Sequence, residues 1–332
     1  MQKAAILILN WKGIEDTKNC LKSIKKSGEI FDIYILDNGG EEFDKLKKLS
    51  DKQIFILKTE KNLGFPGGIN FLLKKLIKKY DYFYLLNNDT EVEKNFASEC
   101  LNCFSKKIGF VASKMCKFDN RYILDNDGHD FLNCGDFIPK NRNKLAKLSN
   151  KKKFIISGCM GGLCISKKCL EDTGYLEEDF FLSSEDSEWT FRAFLYGWKG
   201  FYTPKSIIYH KEHSSQKKIK DKKLIIKQQQ NQFFAYIYNA PILLIILNIP
   251  WILLRDIFFI VISLCLFRLK QVKFFLISRW YIIKSWKKIL LKRKQRSKKQ
   301  KISTFKILKF QKNFIPIYFI YLINILKKII KS

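Results

Sequence analysis

Apolar and polar positions in the first hundred residues alternate between two periods. Ala4–Asn10 is an unbroken apolar run of strand length, as in a strand covered on both faces. Glu15–Ser27 then carries Cys20, Leu21 and Ile24 at helical spacing. Phe31–Asp37 predicts a second strand, with Asn38-Gly39-Gly40 as turn chemistry, and Ile54–Leu57 a third. Lys45–Leu49 and Gly67–Lys79 read as helices, the second turning Leu72, Leu73, Leu76 and Ile77 inward. Tyr82–Leu86 is a fourth strand that ends on Asn87-Asn88-Asp89-Thr90. Strand–helix alternation of this kind predicts an open α/β sheet, mainly parallel, with ligands at the carboxyl ends of its strands. The polar groups Asn10-Trp11, Asp37-Asn38 and Asn87–Asp89 fall at such ends.

Further along, residues 114–153 are polar and irregular, Ser157–Ser166 is small and Gly-rich, Glu185–Tyr196 predicts a helix, and Ile207–Tyr209 a short strand running into His210. The character changes after Lys217. Ala240–Leu254 and Ile257–Phe267 are apolar and flank Arg255-Asp256, where a break is expected. Each half is too short to cross a bilayer, so a monotopic pair or re-entrant segment is expected before a true span. Lys273–Lys288 predicts an imperfect amphipathic helix, with Phe275, Ile282, Ile283, Trp286 and Leu290 opposite its lysines.

Composition sharpens this division. The 332 residues carry 62 Lys+Arg against 31 Asp+Glu, a formal charge of +31. Residues 1–215 hold a net +6; residues 216–332 hold +25, with Asp221 and Asp256 their only acids. A segment both basic and apolar fits an anionic membrane surface better than nucleic acid. The expected domains are therefore a catalytic unit at 1–215 and a basic helical tail at 216–332. Nine scattered cysteines suit a reducing cytoplasm, and no cleavable leader is expected. Cys100-x-x-Cys103 has metal-like spacing but no second pair, so two helix thiols are the preferred reading.

Four clusters carry candidate chemistry. Asn62-Leu-Gly64-Phe-Pro-Gly-Gly-Ile-Asn70 is a Gly-rich turn opening a helix, whose N–H groups could face a phosphate or simply make a tight connection. Asp89 suits a hard cation bridging to a diphosphate, or caps a following helix. Ser183-Ser184-Glu185-Asp186-Ser187-Glu188 puts acids in a first helical turn. There they are dipole-favoured, and one could serve as a general base of lowered pKa. Tyr209-His210-Lys211-Glu212-His213 holds two of the three histidines, as a metal-binding loop or an incidental one.

In this order the clusters resemble the family 2 glycosyltransferases, most closely the rhamnosyltransferase-like enzymes of O-antigen and capsule assembly. The match spans roughly residues 4–215. It rests on Leu9-Asn10-Trp11, Leu36-Asp37-Asn38-Gly39, Asn62 to Asn70, Leu85-Leu-Asn-Asn-Asp89-Thr90, Ser157-Gly-x-x-Gly-Gly, Phe180-Phe-Leu-x-x-Glu-Asp186 and Tyr209-His-Lys-x-x-Ser. The resemblance implies a GT-A nucleotide-diphospho-sugar transferase fold and inverting transfer to a hydroxyl of a lipid-linked saccharide, such as one on polyprenyl diphosphate. It implies that Asn10 and Asp37 line the base and ribose pocket and that Asn62, Gly64, Asn70 and Asn88 serve the donor side. Asp89 would hold Mg²⁺ or Mn²⁺ with His210 supporting, and Asp186 would be the base. Asn87 stands where the family's metal motif has its first Asp, Ser183-Ser184 replace bulkier residues, and Glu212 replaces a common Gly. Leu276 occupies the Gln position before Arg279-Trp280, so single transfer is expected rather than polymerisation. The partners implied are a nucleotide-diphosphate sugar, the saccharide acceptor and an anionic membrane surface, with the enzyme on the cytoplasmic face. The readings set against this are a non-catalytic basic protein binding membrane or nucleic acid, and a nucleotidyltransferase. The first lacks a recognition motif, and the second lacks a Gly-rich basic loop after the first strand.

Overall fold

A computed structural model of the chain describes residues 3–211 and 222–330. The expected boundary at 215/216 lies outside the described residues, as do Glu212, His213, Ser214 and Asp221.

Six strands running in one direction organise the N-terminal part. Chain order begins β1 (Ala4–Asn10), α1 (Ile14–Ser27), β2 (Asp32–Asn38), α2 (Phe43–Lys47), β3 (Ile54–Thr59), α3 (Gly64–Leu76) and β4 (Tyr82–Asn87). β5 (Thr90–Val92), α4 (Phe96–Leu101) and β6 (Ile108–Lys117) follow, then the short strands β7 (Leu124–Asn126), β8 (His129–Leu132), β9 (Phe137–Pro139) and β10 (Lys153–Ile155). β11 (Gly162–Ser166), α5 (Lys167–Thr173), α6 (Glu185–Leu195) and β12 (Lys199–His210) complete this part. The main sheet has the order β10-β12-β6-β11-β4-β1-β2-β3, with β11 and β10 antiparallel to their neighbours. The expected mainly parallel α/β sheet is thus present. Alternate residues of β1 feed two cores: Ala5 and Leu7 join α3 on one face, Ile6 and Ile8 join α1 on the other. That double burial explains why the strand reads as continuous apolar sequence.

Local differences have physical causes. Asp89-Thr90 caps no helix, because β5 begins at Thr90 and pairs with β12 at His210↔Thr90. Cys100 is buried on α4, and Cys103 lies just past its end. The irregular stretch after β6 contains four short strands. β8 and β9 form a small sheet with β13 (Gln311–Lys312), a strand 180 residues later that no local pattern could reveal.

The C-terminal region is α7 (Lys222–Ile237), α8 (Ile242–Cys265), α9 (Leu269–Lys284), α10 (Trp286–Ser297), α11 (Thr304–Leu308), β13 and α12 (Phe314–Ile330). The break expected at Arg255-Asp256 does not occur. α8 is one continuous 24-residue helix, long and apolar enough to cross a membrane by length and composition. Its charges are tolerated because they are paired inside the protein. Arg255, only 5% exposed, bonds Asp136 of the β8–β9 turn and Asp256, which also accepts from Arg279. The amphipathic helix expected over 273–288 is interrupted at Ser285, between α9 and α10. Phe275 and Ile282 pack inward, whereas Ile283, Trp286 and Leu290 are exposed. Several cations of this region pair with acids of the N-terminal part: Lys288 with Asp179, Lys292 with Glu177, Lys299 with Asp172, and Arg296 with Glu177 and Glu188.

Candidate active site

A cleft of about 350 Å³ opens beyond the carboxyl ends of β1, β2 and β4. Trp11, Asn38 and the run Asn87–Asp89 line it there, the Gly64 turn lines one side, and Phe181–Ser187 lines another.

Its floor is a buried polar network. Asn10 Nδ2 donates to Asp37 Oδ1 at 3.1 Å and to Glu42 Oε2 at 2.9 Å, and its Oδ1 accepts from Thr17 Oγ1 at 2.9 Å. Glu42 Oε2 also accepts from the Gly13 N–H, and Asp37 Oδ2 from the Glu42 N–H. Asn10 and Asp37 therefore lie beneath the cleft and do not line it. Asn38 does the visible work at that strand end. It donates to Asn62 Oδ1 and the Gly64 carbonyl and accepts from the Leu63 N–H, which pins the glycine-rich turn to β2.

In that turn the Leu63 N–H meets Asn38, the Gly64 N–H meets Asn62 Oδ1, and the Phe65 N–H meets the Phe181 carbonyl at 2.7 Å. These three donors are occupied by the protein, which fits the tight-connection reading of the turn. Gly64 is required for another reason. Its φ is +72°, and a Cβ would sit 2.2 Å from the Phe181 oxygen. Asn70 lies away from the cleft, its amide joined to the Leu176 backbone and to Glu178.

Asp89 and His210 meet where β4 and β12 end. His210 Nε2 lies 3.4 Å from Asp89 Oδ1, and its Nδ1 lies 2.9 Å from Asp125 Oδ2. Burial opposes its charge, but the two carboxylates outweigh it and lift the imidazole to about 10. Without a metal at the site the ring is therefore a cation between two acids at neutral pH. Asp125 also pairs with Arg142 Nη2 at 3.2 Å. Asn88 lines the cleft and donates to the Gly13 carbonyl and Thr17 Oγ1.

Across the cleft, α6 opens with Glu185 and Asp186. Ser184 precedes it with φ +67° and makes no side-chain cap. Asp186 Oδ2 lies 4.0 Å from His129 Nε2, whose Nδ1 shares Ser157 Oγ and Ser187 Oγ. Burial lowers the His129 pKa. Glu185 departs from the expectation of dipole-lowered acids. Burial first, and then the charge of Asp186, raise it to about 8, and its Oε2 is buried without a hydrogen-bond partner. Asp125, His129 and Glu42 escaped the sequence reading. The first two come from short strands with no periodicity, and Glu42 follows a loop; none sits in a motif.

Among the described residues no group of three or more His, Cys, Asp or Glu forms a ready metal cage. The donors present suit a weaker demand. A divalent ion of the magnesium type is held by one or two carboxylates and completed by substrate phosphates and water, and Asp89 lines the cleft beside Asn87 and Asn88.

A mainly parallel sheet with its cleft at the strand ends and a C-terminal helical region makes this a GT-A-like fold. Residues 6–170, about half of the chain, match the family described as Glycosyl transferase family 2. That segment ends before Asp186 and His210. No curated protein matches the chain. Among solved structures, GalNAc-T7 crystallised with UDP, GalNAc and Mn²⁺ is similar over 71% of this chain and 47% of its own, at 14% identity and a TM-score of 0.55. The mannosyltransferase PcManGT of Pyrobaculum calidifontis, in complex with GDP-Man and Mn²⁺, is similar over 70% of this chain and 63% of its own, at 10% identity and a TM-score of 0.50. This chain thus spans about half to three-fifths of the length of those two proteins, and at such identities the likeness is one of fold.

Proposed function

We propose that this chain moves a sugar from a nucleoside-diphosphate donor to a hydroxyl of a saccharide acceptor. One observation carries the reading: a single cleft at the strand ends holds the Asp89–His210–Asp125 cluster on one side and Asp186 on the other. Asp89, with His210 beside it, would hold Mg²⁺ or Mn²⁺, which when bound neutralises charge on the diphosphate leaving group. Trp11 and Asn38, at the cleft rim, would contact the nucleoside, with Asn10 and Asp37 fixing the strand ends below them. Asn62 and Gly64 would shape the donor side. Asp186 would accept the proton of the attacking hydroxyl, giving inversion at the anomeric carbon. A rhamnosyl-type donor and a role in surface polysaccharide assembly are proposed on the motifs alone.

The acceptor is proposed to be lipid-linked, with the enzyme seated on the cytoplasmic face of the membrane. Exposed Ile246, Leu253 and Ile257 on α8, with Ile283 and Trp286 beyond it, support an apolar seat. An in-plane helix is favoured over a span, because Leu244, Asn248, Arg255 and Ser263 of α8 are buried against protein. Arg255 ties mid-helix to Asp136, so a span would draw the β8–β9 turn into the bilayer. Inward pairing of Lys288, Lys292, Arg296 and Lys299 argues against a nucleic-acid surface there. The same pairing makes apolar contact the larger part of the membrane seat.

The test is a panel of nucleotide sugars offered to full-length protein with membrane-lipid acceptors. Asp186→Asn is expected to slow transfer about 10²–10⁴-fold, and Asp89→Ala to abolish it, with both variants folded. Full activity in both sinks the assignment.

A further inference from the structure

The wall of the cleft just before Asp186 is built of strained backbone. Phe181 has φ +59° and ψ −53°, Ser183 φ +77° and Ser184 φ +67°. None is glycine, and bulky Phe181 falls outside the left-handed well that non-glycine residues occasionally use. Strain of this kind persists only where the surroundings over-determine it. Two partners do so here. From the donor side, the Phe65 N–H bonds the Phe181 carbonyl. From the C-terminal region, one side chain does the rest. Asn231 of α7, 1% exposed, shares its Nδ2 among the carbonyls of Phe180 at 2.7 Å, Leu182 at 3.0 Å and Ser183 at 3.1 Å.

The same region grips the other side of Asp186. Asn239, just past α7, donates to Glu188 Oε1 at 3.0 Å, and Arg296 of α10 reaches the same oxygen at 2.8 Å. Asp186 is therefore bracketed two or three residues away on each side by groups from beyond residue 230.

We propose that Asn231 is a positioning residue for the transfer reaction. It holds the Phe181–Ser184 wall in its strained form, and that wall sets where Asp186 meets the acceptor hydroxyl. The inference rests on the function proposed above. It makes the C-terminal region part of the acceptor side of the site rather than an anchor alone. The amide is suited to the task because its two N–H hydrogens face only carbonyl oxygens. A carboxylate of the same shape would face those oxygens with no hydrogen to offer.

The experiment compares Asn231→Ala, Asn231→Asp and Asn231→Gln in the full-length protein, reading backbone hydrogen exchange over residues 181–184 and steady-state transfer. The expected result for Ala and Asp is faster exchange confined to that segment, kcat lowered at least tenfold, and KM for the nucleotide sugar within twofold. Gln, which keeps an amide on a longer arm, restores part of kcat. Unchanged exchange overturns the proposal, as does faster exchange with wild-type kcat. A kcat loss that merely follows the folded fraction, with Gln no better than Ala, overturns it too. If Ala does not fold, the Gln and Asp pair carries the comparison. Exchange needs no turnover, so a wild type that transfers no sugar refutes the function while the clamp is still measured.

Discussion

Arg296→Met removes a cation from the junction of the two regions, and its effect can be worked from the contacts. Glu188 is fully buried and is held by Arg192 at 2.9 and 3.0 Å, by Asn239 at 3.0 Å and by Arg296 at 2.8 Å. Arg296 also bonds Glu177, which keeps Lys292 at 2.7 Å. Removing one partner of a buried pair costs about 3–5 kcal/mol. Each acid here retains another cation, so the lower end, about 3 kcal/mol, is expected. In a chain of 332 residues that lowers Tm by roughly 4 °C. The loss has a pH signature. Burial opposes ionisation of Glu188, but Arg192 and Arg296 outweigh it, so the folded carboxyl sits below its ordinary 4.5. Its contribution is present above the unfolded value and is lost as pH falls through the depressed folded value. Thermal unfolding of wild type and variant from pH 7 down to pH 2 should therefore show a gap that narrows once pH falls below 4.5. Glu188→Gln with Arg296→Met should be less destabilising than the sum of the single changes. A gap under 1 kcal/mol at pH 7, or one constant with pH, refutes the electrostatic account.

Three further outcomes are expected. Gly64→Ala forces a Cβ into the Phe181 oxygen at positive φ and should cost about 2–5 kcal/mol, with loss of nucleotide-sugar protection against thermal unfolding; a wild-type melt would contradict the tight approach. Glu185→Gln removes a carboxyl that folding holds protonated. Because its folded value is raised to about 8, wild type loses stability as pH climbs from the ordinary 4.5 through 8. The variant should melt higher than wild type at pH 9 and nearly with it at pH 5, and equal melts at pH 9 would exclude the shift. Ile246→Glu, Leu253→Glu and Ile257→Glu together should weaken vesicle flotation on the order of 100-fold if each loses about 1 kcal/mol of half-burial, whereas high salt alone should leave wild type bound. Release by salt would return the membrane seat to its charges.

What could be read from residue order follows from range. β1, β2 and β4 are buried on both faces, so their apolar runs and polar ends announce both the sheet and the rim of the cleft. The helix carrying Asp186 is equally plain from its period. Partners contributed from afar are not. Asp125 sits on a short strand that pairs with β6, and His129 on one that pairs with β9 and, across 180 residues, with β13. Arg255 and Asp256 read as a break because charge in an apolar run suggests exposure, and only the distant Asp136 makes them a buried pair. The basic run 292–299 contains no acid, so its inward partners Glu177, Glu188 and Asp172 are invisible locally. Asn70 belongs to a motif next to the cleft yet serves the packing of the Leu176–Glu178 segment, since a motif records adjacency in sequence and not the direction of a side chain.

The order in which the ribosome makes these residues adds a constraint on assembly. Glu188 is synthesised about 100 residues before Arg296, an interval of roughly 5–20 s at ordinary elongation rates. During it the nascent sheet can form and bury its apolar strands, but Glu188 has only Arg192 for company, and Asn231 arrives midway. The half-made protein therefore carries a sheet without a finished acceptor wall, and maturation of the site waits for the last third of the chain to emerge and dock.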